Sequence, residues 1–126
     1  MDIQIQTNVE SKKEYIVTEK DTAIAIGSGE VNVLATPKLL SLMEEVSSKS
    51  VKDLLPEGYV SVGVEMNILH LKSTKVGEKI TIHSTFSRQE GKKLYFDVVA
   101  TNANNETIGT GECNRVIVNK EKFENK

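Results

Sequence analysis

"PKLLSLMEEVSSKSVKDLLPEGYVSVGVEMNILHLK", residues 37–72, changes its hydrophobic period half-way along, and that change decides the fold. At about 100° per residue, Leu39, Leu40, Leu42, Met43, Val46, Val51, Leu54 and Leu55 share one broad stripe, which predicts a helix over residues 37–55. Thr36 and Pro37 read as its start: a threonine hydroxyl caps an early helix N–H, and proline loses nothing in the first turn. Ser47 and Ser50 fall inside the stripe, where small side chains permit close approach to a sheet. Pro56 and Gly58 stop the helix. From Tyr59 the pattern has a period of two, with Val60, Val62, Val64, Met66, Ile68 and His70 on one face and Ser61, Gly63, Glu65 and Asn67 on the other.

The same alternation recurs downstream. "KITIHSTFSRQ" puts Ile80, Ile82 and Phe86 on one side and Thr81, His83 and Thr85 on the other, "LYFDVVATN" turns Leu94, Phe96, Val98 and Ala100 inward, and "TIGTGECNRVIVN" is a last long strand. "EGKK" and "ANNET" between them are turn signals. Upstream, "KKEYIVTE" reads as a first strand and "GSGEVN" as a loop. That loop is no dinucleotide fingerprint, because Asn32 holds the third glycine position. One helix followed by strands in hairpin order gives an α+β domain, an antiparallel sheet that covers its apolar face with the helix. All 126 residues belong to this single domain, with a core over about residues 13–119 and polar ends that would fray.

Composition narrows the function. A net charge of -2 with both signs interspersed supplies no basic field for nucleic acid or anionic membrane. A single cysteine, Cys113, and two isolated histidines offer no metal-ligand cluster, so no metal is expected. The N-terminal stretch lacks the pattern of a secretory signal and no run is long enough for a membrane span, which leaves a cytoplasmic protein as the expectation.

Three side chains stand out. Thr36 is first a helix cap. Glu44 lies roughly 90° from the stripe centre while Glu45 points away from it. His70 sits on the apolar strand face. A hydroxyl at a helix start, a carboxylate two turns on and an imidazole on the covering sheet would supply a nucleophile or water anchor, an orienting group or base, and a proton carrier at neutral pH. Gly63 marks either a β-bulge or a place where a substrate or another backbone comes close. Cys113 reads as a small packing residue, and Arg115, on the same strand face, has no assigned role.

"GSGEVNVLATPKLLSLMEE" at 27–45, followed by "PEGYVSVGVEMNILHLKSTKVGEKITI" at 56–82, resembles the fluoroacetyl-CoA thioesterase-like family of hot-dog proteins. Thr-Pro at the helix start, Glu eight residues after that Thr, Gly in a "VG" pair and His in an "HL" pair carry the resemblance. They stand here as Thr36, Glu44, Gly63 and His70. The resemblance implies a hot-dog fold, a homodimer with acyl-CoA sites near its interface, and hydrolysis of an acyl-CoA thioester to free acid and coenzyme A without a separate cofactor. Thr36, Glu44 and His70 would be catalytic and the Gly63 N–H a donor to the thioester carbonyl. It leaves open whether Thr36 forms an acyl-enzyme or holds a water, and whether Glu44 or His70 is the base. Residues 22–35 contribute no aromatic, only a generic aliphatic wall, so a short or medium acyl group is expected. A non-catalytic acyl-CoA-binding module is the alternative. A hydratase ranks third, since neither histidine has an Asp five residues away.

Overall fold

The computed structural model describes residues 3–6 and 8–126, so the part of the expected N-terminal fraying that concerns residues 1, 2 and 7 lies outside the described residues. In chain order come β1 (Glu10–Ile16), a 3-10 turn (Glu19–Asp21), α1 (Ala23–Ile26), α2 (Thr36–Lys52), β2 (Tyr59–His70), β3 (Lys79–Glu90), β4 (Lys93–Asn102), β5 (Thr107–Asn119) and α3 (Lys120–Glu124). The five strands form one sheet in the order β1-β3-β4-β5-β2, every neighbouring pair antiparallel. The sheet wraps α2 in the hot-dog arrangement. The polar tail after residue 119 is partly the short helix α3, capped by Asn119, whose side chain accepts from Lys122 N.

α2 is held by packing rather than by its own propensity. Leu39, Leu42, Met43, Val46 and Val51 are buried against Ile80, Ile82, Phe96, Val98 and Ile108 from the sheet, each such side chain contributing about 1.5–3 kcal/mol by its removal from water. Ser47 is fully buried, as its place in the stripe anticipates. Its hydroxyl donates to the Met43 carbonyl at 2.9 Å and is 2.8 Å from that of Ser84 on β3, so the helix approaches the sheet there without an unpaired polar group. The helix ends at Lys52, three residues before the expected Leu55. Pro56 disfavours helical backbone at Leu55, and Leu54, counted in the apolar stripe, is more than half exposed.

β4 and the first half of β3 bury the residues the alternation picks out, but β2 does not keep a single phase. Gly63 lies opposite Arg115 and Glu65 opposite Asn114, so Val64 is an extra residue in a β-bulge. An extra residue reverses which side chains face inward. Met66, Ile68 and His70 face α2 after the bulge, whereas Ser61 and Gly63 face it before the bulge. Val60 and Val62 therefore turn to the outer face, contrary to the strict alternation expected for them. On the neighbouring strand Gly109 lies opposite His70 and Gly111 opposite Ile68, and a Cβ at Gly109 would come within 2.8 Å of Leu39 Cδ2. The bare backbone of β5 is what lets the helix lie this close to the sheet.

Candidate active site

The start of α2 is pinned by backbone bonds on both sides. Leu34 N donates to the Thr74 carbonyl and Ala35 N to the Asp21 carbonyl, both at 2.8 Å. Asp21 is itself buried and accepts from Tyr15 Oη, Thr18 N and Thr18 Oγ1 at 2.7–2.9 Å, which fixes the 3-10 turn beneath the helix start. Burial raises the Asp21 pKa and these hydrogen bonds with Lys38 more than reverse it, so its carboxyl is held below the usual range.

The N-cap of α2 is Ala35, with no side-chain cap, and Thr36 is the first helical residue. The capping role expected of Thr36 is therefore not what its hydroxyl does. Thr36 Oγ1 is instead hydrogen-bonded to His70 Nδ1 at 2.8 Å. The other ring nitrogen, Nε2, is buried and makes no hydrogen bond. Burial lowers the His70 pKa, weakly opposed by the backbone of Lys72, so the imidazole is neutral at pH 7 and one nitrogen is a proton acceptor. Hydroxyl and imidazole together line a cavity of about 370 Å³ walled by Ala23, Val31, Val33 and Leu34.

Glu44 stands elsewhere. Its Oε2 occupies the space over Gly63, where a Cβ would come within 2.1 Å of it, and lies 3.6 Å from Arg115 Nη1. Gly63 thus has both features its sequence left as alternatives, a neighbouring bulge and a close approach. Eight residues of helix, about 12 Å, separate Thr36 from Glu44, and seven residues of strand, about 20 Å, separate His70 from Gly63. One chain therefore carries two separate clusters, a hydroxyl–imidazole pair and a carboxylate over bare backbone, rather than a contiguous triad. Arg115, without a role on sequence grounds, is 5% exposed and belongs to the second cluster. The signal was an arginine on a face otherwise occupied by Cys113 and Ile117.

Glu44 and Glu45 differ in partners rather than exposure, their side chains being 40% and 33% exposed. Glu45, expected to point away into solvent, reaches Lys13 on β1 and Lys49 on its own helix, each at 2.9 Å, and these lysines depress its pKa. His83 is half-buried with Nε2 3.4 Å from Glu10 Oε1. Of the cations near turns, Lys72 pairs with Glu106, Arg88 lies 3.7 Å over the Tyr95 ring, and Lys93 is 3.3 Å from Glu65. Cys113 is fully buried and burial pushes its thiol pKa up, as befits a packing residue. Among the described residues no group of three His, Cys, Asp or Glu side chains is placed to hold a metal ion, and no helix is long and apolar enough to cross a membrane.

The sequence model of the family described as FlK, fluoroacetyl-CoA-specific thioesterase, matches residues 17–121. The chain belongs to this family. A fluoroacetyl-CoA thioesterase of Streptantibioticus cattleyicolor is 30% identical over 91 residues, a match spanning 72% of this chain and 65% of that relative. Among solved structures, a Thermus thermophilus protein described as a thioesterase superfamily member superposes with a TM-score of 0.89 at 28% identity, covering 96% of this chain and 89% of the other. FlK itself superposes with a TM-score of 0.88 at 22% identity, covering 96% and 93%. A variant of FlK in complex with acetyl-CoA gives 0.86 at 21% identity, covering 95% and 94%. These likenesses establish the hot-dog fold. The Thr-Pro, Glu, Gly and His motifs of the family resemblance all fall in the two clusters.

Proposed function

We propose that this protein hydrolyses a short or medium acyl-CoA to the free acid and coenzyme A, acting as a homodimer in which each site joins the half-sites of two copies. The observation that carries the reading is the 2.8 Å bond between Thr36 and His70, two side chains that line one cavity. The thioesterase descriptions of the family and its relatives, and the acetyl-CoA complex of a FlK variant, support the substrate class. β2 is an edge strand on which Val64 and Leu69 are more than half exposed, as is Leu71 just beyond it. Antiparallel pairing of β2 with its copy about an axis near Met66 brings residue 63 of one chain beside residue 70 of the other. Glu44 of the second copy then faces Thr36 and His70 of the first. The lone free thiol is buried, which fits a reducing cytoplasm.

In this arrangement the neutral imidazole accepts a proton from the attacking oxygen, either the Thr36 hydroxyl or a water held by it. That oxygen bonds to the thioester carbon, and the Gly63 N–H stabilises the negative charge arriving on the carbonyl oxygen. The C–S bond breaks, the thiolate leaves as coenzyme A after taking the proton from His70, and Glu44 stabilises the intervening imidazolium; where Thr36 is the attacking group, a water deprotonated by His70 then attacks the Thr36 ester, the free acid leaves, and the proton returns to the threonine hydroxyl. Aliphatic side chains wall the cavity without an aromatic plug, which suits an acyl chain longer than two carbons.

The test mixes two impaired variants. His70→Ala and Glu44→Gln homodimers are each expected to retain only a small, measurable residue of the wild-type thiol release. After co-refolding, the mixed dimer regains one complete site, and about a quarter of the wild-type activity returns at equal mixing. Absence of complementation with mixed dimers present refutes the two-chain site. Absence of wild-type turnover on any acyl-CoA, with binding retained, replaces the enzyme by an acyl-CoA-binding module.

A further inference from the structure

The bulge at Val64 puts Ser61 on the helix face of β2, and its hydroxyl and its carbonyl both accept from one side chain. Ser61 Oγ accepts from Arg115 Nε at 2.8 Å, and the Ser61 carbonyl accepts from Arg115 Nη2 at 2.9 Å. A guanidinium is planar with its five N–H donors in a rigid fork. Two contacts from a single residue therefore fix its plane as well as its place. What remains is Nη1, which is buried, makes no hydrogen bond, and lies 3.6 Å from Glu44 Oε2. A closing movement of half an ångström or so would turn that ion pair into a charge-assisted hydrogen bond.

We propose that Ser61 is a positioning residue for thioester hydrolysis: by holding the Arg115 guanidinium in one plane, it fixes the Glu44 carboxylate over Gly63. The inference rests on the thioesterase reading and adds a residue to it. Ser61 acts through Arg115 and Glu44. Arg115 is enclosed on the helix side of the sheet, so its orientation is set by protein contacts rather than by solvent. Without the Ser61 hydroxyl the fork keeps only the backbone contact at Nη2 and can pivot about it, carrying Nη1 away from the carboxylate.

The decisive comparison is steady-state thiol release by the full-length protein and its Ser61→Ala, Ser61→Thr, Glu44→Gln and Ser61→Ala/Glu44→Gln variants. A carboxylate displaced by a fraction of an ångström is expected to lower kcat of Ser61→Ala by about tenfold, with KM within twofold of wild type. Ser61→Thr, which keeps the hydroxyl, restores kcat. In the Glu44→Gln background the Ser61→Ala change has no further effect, because the group it acts through is gone. Solvent exchange of the Arg115 Nε proton, followed by NMR, is expected to be slow in wild type and Ser61→Thr and fast in Ser61→Ala, a readout that does not depend on turnover. Full kcat in Ser61→Ala, a loss confined to KM, additive losses with Glu44→Gln, or unchanged Nε exchange overturns the proposal while leaving the thioesterase reading intact. A wild-type protein that turns over no thioester overturns both.

Discussion

Replacing Gly63 by alanine tests the carboxylate half-site most directly. The new methyl would lie 2.1 Å from Glu44 Oε2 and 3.2 Å from its Cδ, while Arg115 Nη1, at 3.5 Å, is already at ordinary contact distance. Glu44 must retreat by about 1.3 Å to reach the 3.4 Å of normal contact. Its carboxylate is the far end of a flexible, partly exposed side chain, so it can move without disturbing the core. A displacement of about 1 Å costs on the order of 100-fold in rate, or about 2.7 kcal/mol of transition-state stabilisation. Stability should barely respond. Glu44, 40% exposed, stays solvated as it retreats, and the enclosed Arg115 keeps both of its contacts to Ser61, while removing a strand glycine returns about 0.5–1 kcal/mol of backbone entropy. The expected result is a kcat about 100-fold below wild type on acyl-CoA, measured by thiol release, with a Tm within a few degrees by circular dichroism. A kcat within threefold of wild type would refute the placement of Glu44 at the reacting centre, and a fall in Tm of more than 10 °C would show that Gly63 serves packing instead.

Thr36→Val removes a hydroxyl that caps no helix N–H but pairs with His70 Nδ1, so its stability cost in urea should be about the 1 kcal/mol of one hydrogen bond, while turnover falls steeply and Thr36→Ser retains it. Burial depresses the His70 pKa below 6.5. Activity that needs the neutral ring should therefore persist below pH 6.5 and be lost as pH falls through the native pKa. The linked stability has the same sign: the unfolded chain binds the proton more readily, so His70 contributes stability above about pH 6.5 that is lost on acidification, and urea melts at pH 7 and pH 5 should converge in His70→Gln relative to wild type. Gly109→Ala drives a methyl within 2.8 Å of Leu39 Cδ2 and 3.2 Å of the Leu69 carbonyl oxygen. The overpacking should cost about 1–3 kcal/mol, visible as a lower urea midpoint with an unchanged slope.

The helix, the strand order and the inward set of β4 were legible because each rests on periodicity enforced by burial. The apolar stripe of α2 and the run Leu94, Phe96, Val98 and Ala100 could not face water. β2 defeated the same reasoning because the strict alternation was carried straight through Gly63, the residue whose bulge alternative, realised at Val64, reverses the phase of everything before it. The error carried Ser61 to the wrong face and left Arg115 without neighbours. The capping role given to Thr36 failed for a different reason: helix propensity describes what a hydroxyl does in isolation, and here the tertiary contact with His70, the residue grouped with it in the sequence, sets its partner. Glu45 was read from the helix alone, which cannot see Lys13 on another strand. All four family positions stand out in the sequence, but not their separation into two clusters, since eight helical residues look close in sequence and β2 runs back along the helix, setting Gly63 beside Glu44 and His70 beside Thr36.

β2 has a further meaning for the newly made chain. A long edge strand with exposed valine and leucine is a template for any extended peptide, not only for a copy of itself. The backbone groups that would recruit a second subunit would also recruit an unfolded one. With the proposed pairing of β2 to its copy, the chain is exposed to misassociation until that edge is closed, so substitutions that weaken its closure should lower soluble yield before they lower catalytic rate. Expression at low temperature or with excess chaperone would then recover protein from such variants, and the loss would be traced to the order of assembly rather than to the chemistry of the site.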